Sequence, residues 1–282
     1  MPTAAQAVYR REQIAVFETH HSLLLDTGTK ELMREGHTAT FLVSGRGSVQ
    51  ASTRGASGEI AYNQNTNAQS TATLIEYHAG FRHSNFDIFA SQGDQRRQMQ
   101  VNGTGAINAK ATAVILAELE TGTQDTGAAV TASQGLAGRA LGILQNNKVP
   151  VDRNVFAAIS PAFHTYLMMI PSYVSSDFVS DRPLPKGDVA WRDMEQAKTW
   201  LGVNWIVTPE IAGNGTTAEK CLMWHRSALG IACNADMIRV GGGYDEQHDR
   251  YFDWASIFMA AKMLQNTGVV VMNHDGSAIV AE

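Results

Sequence analysis

Charged residues are scarce in this 282-residue chain, at 17% of the sequence, and the net charge is −5. Soluble domains usually carry about 25% charged residues. The 22 Lys and Arg residues are scattered and never form a basic run of five or more, which argues against a dedicated nucleic-acid reader. Ala, Thr, Ser, Asn and Gln take the place of the missing charges, and such a weakly charged surface tolerates packing against copies of itself.

Long apolar runs and cysteines are also few. No stretch approaches the roughly 18 residues of a membrane span, so we expect no membrane partner. The first 25 residues hold no apolar segment ahead of a cleavage site, and we therefore expect no signal peptide. Two cysteines indicate free thiols in a reducing compartment, which implies synthesis in the cytoplasm.

The hydrophobic pattern predicts an α+β fold, because helices do not alternate regularly with strands. Helices are expected at 5–25, about 94–119 and about 132–147, and strands at 203–207, 221–224 and 237–240. Gly103 and Gly105 weaken the middle of the second helix, which predicts a kink or break there. The clearest local prediction is a buried strand at 155–159, followed by Ser160 as N-cap and Pro161 as the first residue of a helix.

Residues 36–70 differ in composition from the rest of the chain, because five glycines and many Ser and Thr residues surround short alternating pieces such as Thr40-Phe41-Leu42-Val43. This composition predicts an extended hairpin that has too few apolar residues for a core of its own. Two interpretations stay open at this point: a surface loop, or an arm that docks on a neighbouring subunit.

The stretch CLMWHRSALGIAC contains both cysteines, with His225 between Cys221 and Cys233. Its spacing matches no compact zinc pattern. On one strand, Cys221 and His225 would lie about 13 Å apart, too far to bind one ion. The sequence therefore predicts no metal site and two unpaired, buried thiols.

No catalytic or cofactor motif survives inspection. Ser160 and His164 are explained by a helix cap and the helix that follows, without a nucleophile elbow. The glycine-rich pieces at 103–108 and 213–220 lack the spacing of nucleotide-binding loops. GGGY at 241–244 and the acids at 245–249 are interpreted as a solvated turn. We therefore expect no catalytic residue, no cofactor and no metal.

The order of elements resembles the major capsid proteins of tailed bacteriophages, which have the Hong Kong 97-type fold, and is most like their podovirus branch. The resemblance covers nearly the whole chain. It rests on the arm VYRREQIAVFET, the loop GHTATFLVSGRGSVQASTRGASGE, the strand and helix of RNVFAAISPAFHTYLMMI, and the closing DRYFDWASIFMAAKMLQNTGVVVMNHD.

The resemblance implies a division of the chain into four parts. These are an N-terminal arm (1–35), an extended loop (36–70), a peripheral domain with a spine helix at about 94–119 (71–130 and 245–282), and an axial domain (131–244). It further places His225 near the centre of a capsomer, towards which the axial domain points.

The resemblance also implies self-assembly into hexamers and pentamers that form an icosahedral head around double-stranded DNA, without sequence-specific binding. A separate scaffolding protein, a portal and a decoration protein are the expected partners, with assembly in the host bacterial cytoplasm and residence in the virion. Arg46, Arg54 and Glu59 are the candidate polar contacts between subunits.

Some family members cross-link a loop lysine to a neighbour's asparagine. This chain has no lysine between Lys30 and Lys110, so we expect no cross-link. Two alternatives remain at this point. One is an encapsulin-like shell around enzyme cargo, and the other is a cytosolic hydrolase that uses Ser160 and His164 or the acids at 245–249.

Overall fold

The structure, a computed structural model, describes residues 23–45, 66–86, 95–174 and 197–280, together with isolated positions between 51 and 65. Its helices are α1 (Gln95–Leu119), α2 (Gln134–Asn146), α3 (Pro161–Met168), α4 (Pro171–Val174) and α5 (Ser277–Val280). The predicted helix at 5–25 lies almost entirely outside these residues. The mixture of helices and sheets confirms the predicted α+β class.

Twelve strands lie within the described residues. They are β1 (Thr29–Met33), β2 (Thr38–Gly45), β3 (Thr66–Thr73), β4 (Ile75–Ser84), β5 (Val155–Ile159), β6 (Ala197–Trp200), β7 (Val203–Val207), β8 (Glu219–His225), β9 (Leu229–Asn234), β10 (Arg239–Asp245), β11 (Arg250–Met263) and β12 (Val269–His274). Single 3-10 turns cover Leu23–Asp26, Arg226–Ala228 and Asn266–Gly268.

The strands form two five-stranded sheets and one separate hairpin. The first sheet has the order β1-β9-β11-β10, with β4 also paired to β11, and the second has the order β12-β8-β5-β7-β6. β2 and β3 form an antiparallel ribbon of their own. Only two of the pairings between these strands are parallel, β1 with β9 and β5 with β7.

The two sheets follow boundaries that differ from those of the predicted domains. β9 and β10, from the range assigned to the axial domain, belong to the first sheet, whereas the C-terminal β12 belongs to the second. Consecutive strands β8 and β9 thus lie in different sheets, separated by one 3-10 turn. The division into peripheral and axial domains stays a prediction.

The long helix α1 agrees with the predicted spine helix in its bounds, and it contains no break at the two glycines. The helix runs without interruption through Gly103 and Gly105, and both glycines are buried. A Cβ atom at Gly103 would lie 3.5 Å from the Ala255 Cβ atom and from a ring carbon of Phe81. Contact with β4 and β11 therefore compensates for the low helix propensity of the glycines.

The second sheet forms around β5, in which all five residues are buried. Ser160 caps α3 as predicted, because its Oγ accepts a hydrogen bond from the Phe163 N–H at 3.1 Å. Helix α2 places its apolar stripe in the same core. One continuous cluster of buried residues contains side chains from α1, α2 and both sheets, so a single core holds the described parts together.

The prediction for GGGY was wrong, because Gly241, Gly242 and Gly243 lie in strand β10 and pair with β11. Cβ atoms at these three positions would lie 2.6, 1.9 and 2.9 Å from side-chain atoms of Trp254, Asp253 and Phe252, respectively. Glycine is needed here because side chains of β11 lie across the backbone of β10. Strand propensity disfavours glycine, which is why the local pattern indicated a turn.

Candidate functional site

The hairpin β2–β3 lies on the first sheet through a small apolar base. Ala39, Phe41 and Ala72 are all less than a tenth exposed, and they pack with Ala232 of β9 and Ala260 of β11. Alternate residues of a strand point to opposite faces, so Phe41 faces the sheet while its neighbour on the strand does not. The predicted extended hairpin is therefore present, and one of its faces docks on its own subunit.

The other face of the hairpin is open to solvent. Leu42, next to Phe41, is 75% exposed. Further along the loop, Ile60 and Tyr62 are 56% and 90% exposed. Large apolar side chains on an extended ribbon without its own core are typical of a segment that contacts another molecule.

Only one of the three predicted contact residues can be located. Arg54 is exposed, as a residue that contacts a neighbouring subunit must be in the free chain. Arg46 and Glu59 lie outside the described residues.

The stretch CLMWHRSALGIAC forms most of β8, a 3-10 turn and most of β9. Cys221 lies in the second sheet and Cys233 in the first, and both are fully buried and unpaired. Burial raises the pKa of the Cys221 thiol to about 12 and also raises the pKa of Cys233. The prediction of two free, buried thiols is confirmed.

His225 ends β8 and is held by local contacts. Its Nδ1 accepts a hydrogen bond from the Ser227 N–H at 3.2 Å, and its Nε2 lies 3.0 Å from Oδ1 of Asp152. The pKa of Asp152 is lowered, first by the Asn154 side-chain amide and also by His225. This histidine therefore caps a turn between the two sheets, and its predicted position near the centre of a capsomer stays a prediction.

Ser160 is unsuited to the nucleophile role in the hydrolase alternative. It is fully buried, and its hydroxyl both caps α3 and donates a hydrogen bond to Glu219 Oε2 at 2.5 Å. The imidazole of His164 lies edge-on to the ring of Tyr173, with the ring centroids 5.9 Å apart. A substrate has no path to the Ser160 hydroxyl in this arrangement.

The acids at 245–249 form the turn between β10 and β11. Asp245 Oδ2 accepts hydrogen bonds from Nδ1 of His248 at 2.9 Å and Nε of Arg250 at 3.0 Å. The Tyr244 hydroxyl donates a hydrogen bond to Asp249. These carboxylates are satisfied within the turn, which supports the interpretation of a solvated loop.

A buried polar cluster in the second sheet was missed by sequence reasoning. Glu219 and His274 are paired residues on β8 and β12, and Glu219 Oε2 lies 2.6 Å from His274 Nδ1. The same oxygen accepts the Ser160 hydroxyl, while Glu219 Oε1 accepts the Gly215 N–H at 2.7 Å. Cys221 completes the cluster, since its thiol contacts Ser160.

The only local signal for this cluster was a lone acid before an otherwise apolar strand, in AEKCLMW. Glu219, Cys221 and His274 are the described residues able to hold a metal ion together. This set differs from the combination of Cys221, His225 and Cys233 that the spacing in the sequence argued against.

Comparison with known proteins identifies the family. A family model described as phage capsid protein matches residues 1–276. The chain belongs to the phage capsid protein family. No curated protein matches the chain.

Solved capsid structures share the fold over nearly the whole length. A chain from Mycobacterium phage Che8 has a TM-score of 0.71 at 14% identity, covering 96% of this chain and 98% of that one. The capsid of cyanophage P-SCSP1u has a TM-score of 0.70 at 13% identity, and the match covers 96% of this chain and 93% of that one. The capsid of Ralstonia phage GP4 has a TM-score of 0.69 at 10% identity, and the match covers 97% of this chain and 96% of that one.

The family and these neighbours indicate a structural protein of a phage head, and they do not favour the encapsulin alternative. They also confirm the family resemblance on which the fold prediction rested. No helix among the described residues is long and apolar enough to cross a membrane.

Proposed function

We propose that this chain is the major subunit of a tailed-phage head, forming hexamers and pentamers that close into an icosahedral shell around double-stranded DNA. The observation that carries the proposal is the match of the phage capsid family to residues 1–276, together with a capsid fold over the same length.

The extended hairpin supports the proposal because one of its faces has no partner among the described residues of its own chain. A two-stranded ribbon is marginally stable alone, and within the described part of the chain this one is held at its base by Phe41 and its alanine neighbours. We infer that the exposed face, which includes Leu42, lies on a neighbouring subunit. Burial of apolar area there contributes about 25 cal/mol per Å² to assembly.

Polar contacts at the same surface set the position of the hairpin. We propose that Arg46, Arg54 and Glu59 are the charged anchors of the loop on the adjacent subunit. Charged contacts of this kind improve specificity more than affinity. They also suit a surface that has few other charges to compete with them.

The charge of the chain suits a container. A net charge of −5 gives no general attraction for the DNA phosphates, so we infer that the genome is held by confinement, with local basic contacts and without sequence-specific binding. We further propose that assembly takes place in the host bacterial cytoplasm with a separate scaffolding protein, a portal and, on the finished head, a decoration protein.

Electron microscopy of the expressed chain, alone and with its scaffolding protein, tests the proposal. We expect capsomers or closed shells. Arg54→Glu is expected to reduce assembly strongly, whereas the charge-preserving Arg54→Lys should assemble better than Arg54→Glu. A soluble monomer that never assembles with scaffold, and that turns over an ester or phosphate substrate, would refute the proposal.

A further inference from the structure

The buried cluster of the second sheet brings together three side chains of the types that bind transition metals. A carboxylate oxygen of Glu219, the Sγ of Cys221 and an imidazole nitrogen of His274 all lie within 4.8 Å of one another. Thiolate, imidazole and carboxylate are the three protein ligands of zinc, and a thiolate disfavours Mg²⁺ and Ca²⁺. We propose that Glu219, Cys221 and His274 bind a Zn²⁺ ion inside the capsid subunit.

The three ligands are positioned by regular sheet structure. Glu219 and Cys221 are two residues apart on β8 and so lie on the same face. His274 is the residue of β12 directly opposite Glu219. Both strands are buried at almost every position, so the ligands are held by a rigid scaffold, as a specific metal site requires.

The Glu219 carboxylate is fixed from behind. Oε1 accepts the Gly215 N–H, and Gly276 lies so close that a Cβ atom there would be 2.2 Å from Oε1. Oε2 therefore faces His274 Nδ1 at 2.6 Å. In a tetrahedral site with bonds of about 2.0–2.3 Å, ligand atoms are about 3.5 Å apart, so this pair must open by about 1 Å to admit the ion.

Charge balance favours a divalent ion in this position. All three residues are fully buried, and burying a net charge is costly. One carboxylate and one thiolate neutralise Zn²⁺, with His274 as a neutral third ligand. Zn²⁺ displaces the thiol proton of Cys221 to solvent, and the positive charge of the ion stabilises a thiolate that burial alone disfavours.

The surroundings of His274 agree with an Nδ1 ligand. Its Nε2 is buried and has no hydrogen-bond partner among the described residues. The rings of Phe163 and Tyr166 lie beside the imidazole, at centroid distances of 4.9 and 5.8 Å. In the metal-free chain Nδ1 carries the proton and donates it to Glu219 Oε2. Binding of the ion to Nδ1 moves the ring proton to Nε2, where the neighbouring aromatic rings accept a weak hydrogen bond.

Co²⁺ and Zn²⁺ titrations of the full-length chain test this inference. The purified, unassembled protein is reduced, stripped with a chelator and titrated with Co²⁺, whose absorption reports tetrahedral thiolate coordination. We expect one equivalent to bind, Zn²⁺ to displace it, and Zn²⁺ to raise the melting temperature. Cys221→Ala should lose all three effects, while Cys233→Ala, which alters the other buried, unpaired cysteine, should keep them.

A second pair of variants protects the test against misfolding. His274→Gln should lose Co²⁺ binding and His225→Gln should keep it, with circular dichroism reporting the fold of each. Absence of a thiolate–cobalt band in the wild-type chain, or an unchanged band in folded Cys221→Ala, overturns the proposal. The measurement uses unassembled subunits, so its outcome is independent of whether the chain forms shells.

Discussion

Gly276 occupies the tightest position in the buried cluster. A Cβ atom there would lie 2.2 Å from Oε1 and 2.6 Å from Cδ of Glu219. Ser160, His274 and Gly215 all hydrogen-bond the Glu219 carboxylate, so the carboxylate cannot shift away from an added Cβ atom without weakening these bonds. Glycine is therefore required at position 276 because any side chain there would collide with the Glu219 carboxylate.

Gly276→Ala is therefore expected to lower the free energy of unfolding by about 1–3 kcal/mol, as overpacking does elsewhere. Gly138→Ala is the matched control, because Gly138 is exposed on α2 with no atom within 4 Å of the added Cβ. This control should raise stability by up to about 1 kcal/mol through helix propensity. Urea unfolding of the unassembled chain measures both, and equal effects would contradict the explanation.

Two serine N-caps allow a second comparison between single residues. Ser133 Oγ caps α2 by accepting the Leu136 N–H at 3.2 Å, whereas Ser160 caps α3 and also donates to the buried Glu219. Ser133→Ala should cost about 1 kcal/mol. Ser160→Ala should cost about 1–3 kcal/mol more, because a buried carboxylate loses a donor. Similar losses in thermal unfolding would show that the bond to Glu219 contributes nothing.

The Cys221 thiol predicts a pH dependence in the presence of a chelator. Its pKa rises on folding from 9.0 to about 12, so the folded chain binds the proton more tightly. Its contribution to stability is complete below pH 9 and is lost as the pH rises from 9 towards 12. Over that window, Cys221→Ala should lose stability less steeply than the wild type, by up to about 1.4 kcal/mol per pH unit. Parallel profiles would contradict the assignment.

Among the elements, the hairpin β2–β3 has one face that contributes to the fold of the subunit and one face that we assign to assembly. Its inner face docks on β9 and β11 through Phe41, and Gly230 makes room for that ring, because a Cβ atom at Gly230 would lie 3.0 Å from the Phe41 Cζ. Its outer face carries the exposed Leu42. One strand thus presents one face to its own subunit and the other to the proposed neighbour.

Phe41→Ala should release the hairpin from the sheet. Such a change lowers the free energy of unfolding by about 3–5 kcal/mol in a fully packed core, and we expect a smaller loss here because the apolar cluster at the base of the hairpin is small. Leu42→Ala should change the stability of the free subunit by no more than about 0.5 kcal/mol while reducing assembly. Hydrogen exchange at β3 reports docking, and electron microscopy reports shells. Loss of docking in Leu42→Ala, or its retention in Phe41→Ala, would reverse the assignment of the two faces.

For the whole molecule, one core connects two sheets whose strands alternate along the chain. β8 and β12 belong to the second sheet, whereas β9, β10 and β11 between them belong to the first. Each sheet therefore contains strands from before Leu229, the first residue of β9, and at least one strand from the part of the chain that follows. We infer that the two sheets fold cooperatively and enter the shell as one unit.

Heads built from this subunit should be held together without covalent links between chains. The loop contains no lysine, since none occurs between Lys30 and Lys110. A denaturing gel of mature particles is therefore expected to show the subunit as a single monomer band. A ladder of covalent oligomers would show that another lysine supplies the cross-link.

Local patterns determined much of this fold from the sequence alone. The strand at Val155–Ile159, the Ser160 cap, the stripe of α2 and the α+β class follow from hydrophobic period and capping, which depend on residues close in the chain. The order of these segments was enough to recognise the capsid family. The two free thiols also followed from composition.

Tertiary structure alone decided the buried cluster and the glycine strand. Glu219 lies 55 residues from His274 and 59 from Ser160, and only the pairing of β8 with β12 and β5 brings them together. Gly241–Gly243 form a strand because side chains of β11 cover them. Both features depend on which distant strands pair with each other, and a pattern of neighbouring residues does not specify the partner strand.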